Sequence, residues 1–157
     1  MKLNKAKAIA EKYLNLLKPY CQRIEIAGSI HREKPEVKDI EIVAIPKDLT
    51  EFSNEVNKLE KVKGEPTGKY TMRVLPEGIK LDLFIANERN WGLIFAIRTG
   101  SAEFSHKVLA TGWVKKGYHS VNGMLVSQNG REIEVREEKD LFDLIGIPYI
   151  GSGLRNL

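Results

Sequence analysis

Gly28-Ser29-Ile30-His31-Arg32, followed after six further residues by Asp39-Ile40-Glu41-Ile42-Val43-Ala44-Ile45-Pro46, is the stretch that decides how this chain is organised. Along a strand, side chains at i and i+2 share a face, so Asp39 and Glu41 project together while Ile40, Ile42 and Ala44 form the opposite, apolar face. Two carboxylates this close repel one another unless a cation lies between them. Taken alone, such a pair reads as an exposed strand edge. Upstream, Arg23-Ile24-Glu25-Ile26-Ala27 reads as a strand running directly into Gly28-Ser29 and a short helix. Glycine at that junction lets backbone approach a ligand closely, and a helix start offers free N–H donors to phosphate. Ser29 adds a hydroxyl, and Arg32 adds a planar fork suited to phosphate oxygens.

A third acid changes the reading of the first two. In Lys80-Leu81-Asp82-Leu83-Phe84-Ile85 a single carboxylate sits inside an otherwise largely apolar strand. With Leu81, Leu83 and Ile85 toward a core, Asp82 shares the other face with Lys80 and Phe84. A buried carboxylate is costly unless paired or metal-bound. Lys80 is one available partner. If this strand lies beside the Asp39/Glu41 strand, three carboxylates converge, and an all-oxygen cluster suits Mg²⁺. Magnesium held so can activate a hydroxyl and neutralise charge on a transferring phosphoryl group.

Working outward, residues 1–20 carry Ala6, Ile9, Ala10, Tyr13, Leu16 and Leu17 at helical spacing, ending at Pro19. Helical spacing recurs over 49–59, before a turn at Lys63-Gly64-Glu65-Pro66. Strands are predicted over 37–45, 70–75 and 79–86, the last two joined by Pro76-Glu77-Gly78. After Asn87 the texture changes to helices over 91–98 and 103–116. Short strands follow around turns at Asn122-Gly123 and Asn129-Gly130, then a helical turn or two over 139–145. The expectation is α+β: residues 1–87 as one lobe, residues 88–157 as a smaller helical and β-ribbon lobe, and a ligand cleft between them.

The 157 residues are 42% hydrophobic and 29% charged, a balance that excludes intrinsic disorder. There is no long apolar run and no signal-like N-terminus, so no membrane association and a cytoplasmic location are expected. The single cysteine, Cys21, excludes an internal disulfide or a cysteine zinc cluster and reads as a small buried hydrophobe. Net charge is +4, unevenly spread. Residues 1–38 hold nine Lys/Arg against four Glu, while residues 132–143 hold two basic against six acidic groups. Such asymmetry suits a protein that meets a polyanion with one part only.

These motifs resemble the polymerase β-like palm and thumb of family X DNA polymerases, within the nucleotidyltransferase superfamily. The resemblance spans roughly residues 22–155. Its anchors are Gly28-Ser29-Ile30-His31-Arg32, Asp39-Ile40-Glu41, Lys80-Leu81-Asp82-Leu83, Arg98-Thr99-Gly100-Ser101, and Asp140-Leu141-Phe142-Asp143 with Pro148 and Arg155. It implies that Asp39, Glu41 and Asp82 are catalytic and hold two Mg²⁺ ions, with Mn²⁺ as a substitute. It implies nucleotide contacts from Gly28, Ser29, Arg32, Thr99, Gly100, Ser101 and Ser105, with a strained Gly100–Ser101 peptide. Lys80, Lys107, Lys115 and Lys116 would contact DNA.

The implied activity is DNA-directed addition of dNTPs to a primer 3′-hydroxyl across short gaps in DNA repair, by a monomer working on primer-template or gapped DNA, with a DNA ligase as a candidate partner. The chain departs from the family pattern at three places. Glu41 stands where Asp is usual, His31 where a second Arg is frequent, and Ile97-Arg98 where an aromatic pair commonly precedes Thr-Gly-Ser. With 27 residues ahead of Gly28, a lyase and fingers region is not expected. Two other classes fit less of the sequence: a template-independent nucleotidyltransferase acting on RNA, protein or a small molecule, and a nucleic-acid-binding module without catalysis.

Overall fold

Period-two alternation puts Ile40, Ile42 and Ala44 on the same side of a sheet as Leu81 and Leu83, and all five are fully buried. They are the floor on which the first unit is built. The computed structural model describes residues 1–157 and is an α+β fold whose contacts divide into two compact units, Met1–Ala86 and Asn87–Leu157. In the first, helix α1 (Leu3–Leu17) leads through a 3-10 turn (Lys18–Tyr20) into β1 (Cys21–Ala27), α2 (Gly28–His31), β2 (Asp39–Pro46), α3 (Leu49–Val56), β3 (Glu60–Gly64), β4 (Tyr70–Val74) and β5 (Lys80–Ile85). The sheet order is β1-β2-β5-β4-β3, with β2 and β5 parallel and every other pair antiparallel.

Helix α1 buries Ala6, Ile9, Ala10, Tyr13 and Leu17 in the core shared with Ile40, Leu81 and Leu83, and Phe52 and Val56 of α3 complete it. Leu16, part of the apolar stripe by spacing, is 44% exposed because Leu17 takes the inward position at that turn. From the sequence, the five residues of β3 are not expected to form a strand: the predicted helix ends at Leu59 and a turn begins at Lys63. All five are exposed, so β3 carries no apolar alternation to detect, and its place at the sheet edge comes from hydrogen bonding to β4 alone. Lys61 and Lys63 on that edge discourage pairing with another chain. Inside the sheet, buried Arg73 donates to Thr71 Oγ1 (3.0 Å), Leu59 O (3.1 Å) and Asn57 Oδ1 (3.1 Å), tying β4 to the α3–β3 connection.

The second unit comprises α4 (Trp91–Thr99), α5 (Ala102–Phe104), α6 (Thr111–Lys115), the β6-β7-β8 ribbon (His119–Val121, Met124–Val126, Glu132–Ile133) and α7 (Glu138–Ile145). The helix expected over 103–116 is present but widens into a π turn over Ser105–Ala110 between α5 and α6. Leu93, Ala96, Phe104, Leu109, Trp113, Leu125, Leu141 and Phe142 form its core. Asn122 and Gly123 both have positive φ (51° and 79°), the backbone of a tight two-residue hairpin loop, which explains the Asn-Gly pair between β6 and β7. Gly92 has no alternative: a Cβ there would penetrate the backbone of Glu137, against which α4 packs. Arg155, fully buried, pairs with Glu138, donates from Nε to Ile150 O (2.7 Å) and lies over the rings of Phe142 and Tyr149. No helix is long and apolar enough to cross a membrane.

One polar tie joins α1 to the β4–β5 hairpin. Tyr13 donates to Glu77 Oε1 (2.6 Å), and Lys12 pairs with Oε2 (2.7 Å). Burial first, then the hydrogen bond and charge of Glu77, push the Tyr13 phenol from 10.0 up to about 12. Because the folded value is raised, its contribution to stability is complete below pH 10 and is lost as pH climbs toward 12. Glu77→Gln is expected to bring the Tyr13 titration part of the way back down, since the burial remains. Phenolate absorbance of the five-tyrosine chain against a Tyr13→Phe reference checks this; an unchanged titration would mean burial alone sets the value.

Candidate functional site

Parallel pairing of β2 with β5 sets Asp39 opposite Lys80 and Glu41 opposite Asp82. Strands in a sheet lie about 4.8 Å apart, and in-register neighbours point the same way. Asp39, Glu41, Lys80 and Asp82 therefore share one face, opposite the Ile40/Leu81 core. Asp39 and Glu41 are half-buried, Lys80 is exposed, and Asp82 is 8% exposed. The strand adjacency on which the expected convergence of the three carboxylates depends is present, and all three acids stand on one sheet face.

Asp82 has a partner from a third strand. Tyr70 of β4, diagonal to Asp82 across the ladder, donates its hydroxyl to Asp82 Oδ1 at 2.6 Å. Its ring packs on Phe84, centroids 5.0 Å apart, and Lys63 Nζ lies 5.7 Å from the ring centre. The phenol fixes one carboxylate oxygen and so defines the orientation of the other. Sequence reasoning missed this residue. Its only signal is an aromatic at the start of a strand, and that signal gains meaning only when the β4–β5 register is known.

Gly28 closes the near end of the face. Ala27 is the register partner of Glu41, so the chain enters α2 directly beside that carboxylate. Gly28 has φ +64°, and a Cβ there would overlap Glu41 Oε2 and lie 2.8 Å from Glu41 Cδ. The glycine is required twice, by its dihedral and by the carboxylate it accommodates. Ser29 is half-buried on this short helix, as is Arg32 at its end. Burial works against the Arg32 charge and the Glu41 carboxylate works for it, placing guanidinium and acid in one electrostatic neighbourhood.

The second-unit residues singled out from sequence fall in different settings. Thr99 is fully buried and Gly100 is buried, while Ser101 is half-buried. The Gly100–Ser101 peptide is trans, with Gly100 at φ −70° and ψ 157°, so the strain implied for this turn is absent. Ser101 Oγ caps α5 by accepting from Phe104 N (3.1 Å) and also from Leu157 N (3.2 Å), and Ser101 N donates to Arg155 O (3.0 Å). The turn is therefore braced by the C-terminal segment. Ser105 is buried and donates its hydroxyl to Ile97 O (2.7 Å), an internal helix-to-helix bond. Lys107 is matched by Glu103 (2.7 Å), whereas Lys115 and Lys116 are exposed at the end of α6.

Compared with known proteins, the chain matches no protein-family model, and no curated protein is similar to it in sequence.

Two substitutions test this geometry. Tyr70→Phe keeps the ring but removes the donor to a nearly buried carboxylate, and should cost about 1.5–3 kcal/mol in thermal or denaturant unfolding; a change below about 0.5 kcal/mol would show that Tyr70 does not hold Asp82. Gly28→Ala must move Glu41 and strain a left-handed residue, the strain alone costing about 1–2 kcal/mol, and an unchanged midpoint would contradict the close approach.

Proposed function

We propose that the chain is a metal-dependent nucleotidyltransferase of the kind its motifs resemble, adding nucleotides to the 3′-hydroxyl of a DNA primer. The observation that carries this reading is the in-register β2–β5 pairing, which sets Glu41 beside Asp82 with Asp39 on the same face and Gly28 against Glu41. The donor set fits the group such chemistry uses. Three carboxylates are hard oxygen ligands, suited to Mg²⁺ and to Mn²⁺ in its place. Held by Asp39, Glu41 and Asp82, two such ions would favour ionisation of the attacking hydroxyl and offset charge on the triphosphate.

The protein's own groups do the rest by position and charge. Gly28 lets the Glu41 carboxylate lie directly against the backbone at the entry of α2. Ser29 supplies a hydroxyl, and Arg32 supplies a guanidinium whose charge Glu41 supports. Asp82, steadied by Tyr70, stands nearest the incoming 3′-hydroxyl in this reading. Lys80, exposed on the same face beside Asp39, suits a primer phosphate. Glu41, one methylene longer than the family's usual aspartate, reaches further from its strand. In the second unit, the same resemblance carries over Thr99, Gly100 and Ser101 as base and sugar contacts, while the Ser101 hydroxyl, the Gly100 and Ser101 N–H groups and Ser105 already have partners within the unit. The net charge of +4 and the exposed lysines at the end of α6 favour a nucleic-acid substrate, in keeping with short-gap repair synthesis by a palm-and-thumb polymerase.

Extension of a labelled primer across a one-nucleotide gap, with Mg²⁺ and each dNTP singly, is the direct test. Template-matched addition is expected, falling by about 100-fold or more in Asp82→Ala, the scale lost with one preorganised charge-stabilising group. Untemplated addition that disappears in the same variant would move the reading to a terminal transferase. Absence of extension with either metal would overturn polymerisation and direct the search to RNA, protein or small-molecule acceptors.

A further inference from the structure

The end of α6 and the loop between β7 and β8 flank an open cavity of about 660 Å³ lined wholly by second-unit residues. Its lining includes Lys115, Lys116 and Arg131, the polar side chains Ser127, Gln128 and Asn129, and no carboxylate. Elsewhere in this unit Arg89, Arg136, Lys107 and Arg155 each meet a glutamate. Lysines at a helix C-terminus are ordinary, because the helix dipole favours them there. Lys116 gains further from the end of α7, near Gly146. That argument does not reach Arg131, which a different element brings to the same cavity.

The walls are built to stay in place. Gly117, at φ +87°, turns the chain sharply beyond α6, and the side chain of Gln128 packs against it. Opposite, Ser127 and Arg131 are bonded through both backbone and side chain: Ser127 N donates to Arg131 O (2.9 Å) and Arg131 N to Ser127 Oγ (3.2 Å). The Ser127 hydroxyl bonds Asn129 Oδ1, so the amide nitrogen of Asn129 is left as a donor. A braced loop thus brings one guanidinium and two amides to the same cavity that two lysines line.

We infer that this cavity binds the phosphates of a nucleic-acid strand, with Lys115, Lys116 and Arg131 as its charges and Gln128 and Asn129 as hydrogen-bond donors. The cavity is far larger than one phosphate ion, and its three cations are exposed, which suits a chain of phosphates passing by. The choice of nucleic acid over a small anion rests on the nucleotidyltransferase reading. Lys115 and Lys116 then act together with Arg131 as one grip, separate from the carboxylate face.

The test uses the full chain and a fluorescently labelled gapped duplex, with affinity measured by anisotropy across a salt series. Lys115→Ala/Lys116→Ala/Arg131→Ala should weaken binding at least tenfold at low salt. It should also flatten the slope of log affinity against log salt by about 0.9 for each phosphate left without its cation. All three residues are exposed, and an unchanged unfolding midpoint confirms that folding is intact. Arg131→Lys, which keeps the charge, should retain most of the slope. An unaltered slope and affinity in the triple variant would overturn the proposal. So would a triple variant that loses only thermal stabilisation by tripolyphosphate while binding the duplex normally, which would make the cavity a small-anion site. If wild type binds through the cavity yet never extends a primer, the grip stands and the polymerase reading falls. If Asp82-dependent extension is present while the triple variant binds normally, the reverse holds.

Discussion

The parallel, in-register pairing of β2 and β5 is the constraint on which the rest of the first unit depends. Two adjacent strands with the same alternation bury Ile40, Ile42, Leu81 and Leu83 on one side and must place Asp39, Glu41 and Asp82 on the other. Slipping either strand by one residue would drive a carboxylate into the α1–α3 core and a leucine or isoleucine onto the acidic face. The hydrophobic effect therefore enforces the register, and the register enforces the site. Burial of a few aliphatic side chains, each worth about 1.5–3 kcal/mol, is what holds three like charges on one face.

Around that pairing, each neighbour solves a local problem the acids create. Gly28 removes the side chain that would collide with Glu41. Arg32 brings a cation to the same carboxylate. Tyr70 satisfies one oxygen of Asp82 where the strand is too buried for water to do it freely. Packed on Phe84, the phenol ring has little freedom, so the hydrogen bond is directional as well as strong.

The second unit is organised by close backbone approach more than by surface charge. Gly92 lets α4 lie against the Glu137 backbone, and Arg155 closes the unit from inside through Glu138, Ile150 and two aromatic rings. The C-terminal segment then reaches back to Ser101 by two hydrogen bonds. The Thr99-Gly100-Ser101 turn is consequently a fixed feature of the unit, braced by the C-terminal segment.

Elements whose residues alternate or repeat with strong contrast are legible in the chain itself: α1, β2, β5 and the Asn122-Gly123 hairpin. The three acids are legible too, because a lone aspartate in an apolar strand and an Asp-x-Glu at a strand start are unusual in composition as well as position. Gly28 stands out for its place between a strand and those acids. That β2 and β5 are neighbours and parallel is decided only in three dimensions, since pairing partners leave no mark within either strand. The same is true of Tyr70 meeting Asp82, of Ser101 and Ser105 engaging their hydroxyls internally, and of Arg131 joining Lys115 and Lys116 in one cavity. β3 is invisible in the sequence because a fully exposed edge strand is specified by its neighbour's hydrogen bonds and not by its own side chains. Periodicity reports which face of an element is buried; which element it is buried against is settled only when the chain closes on itself.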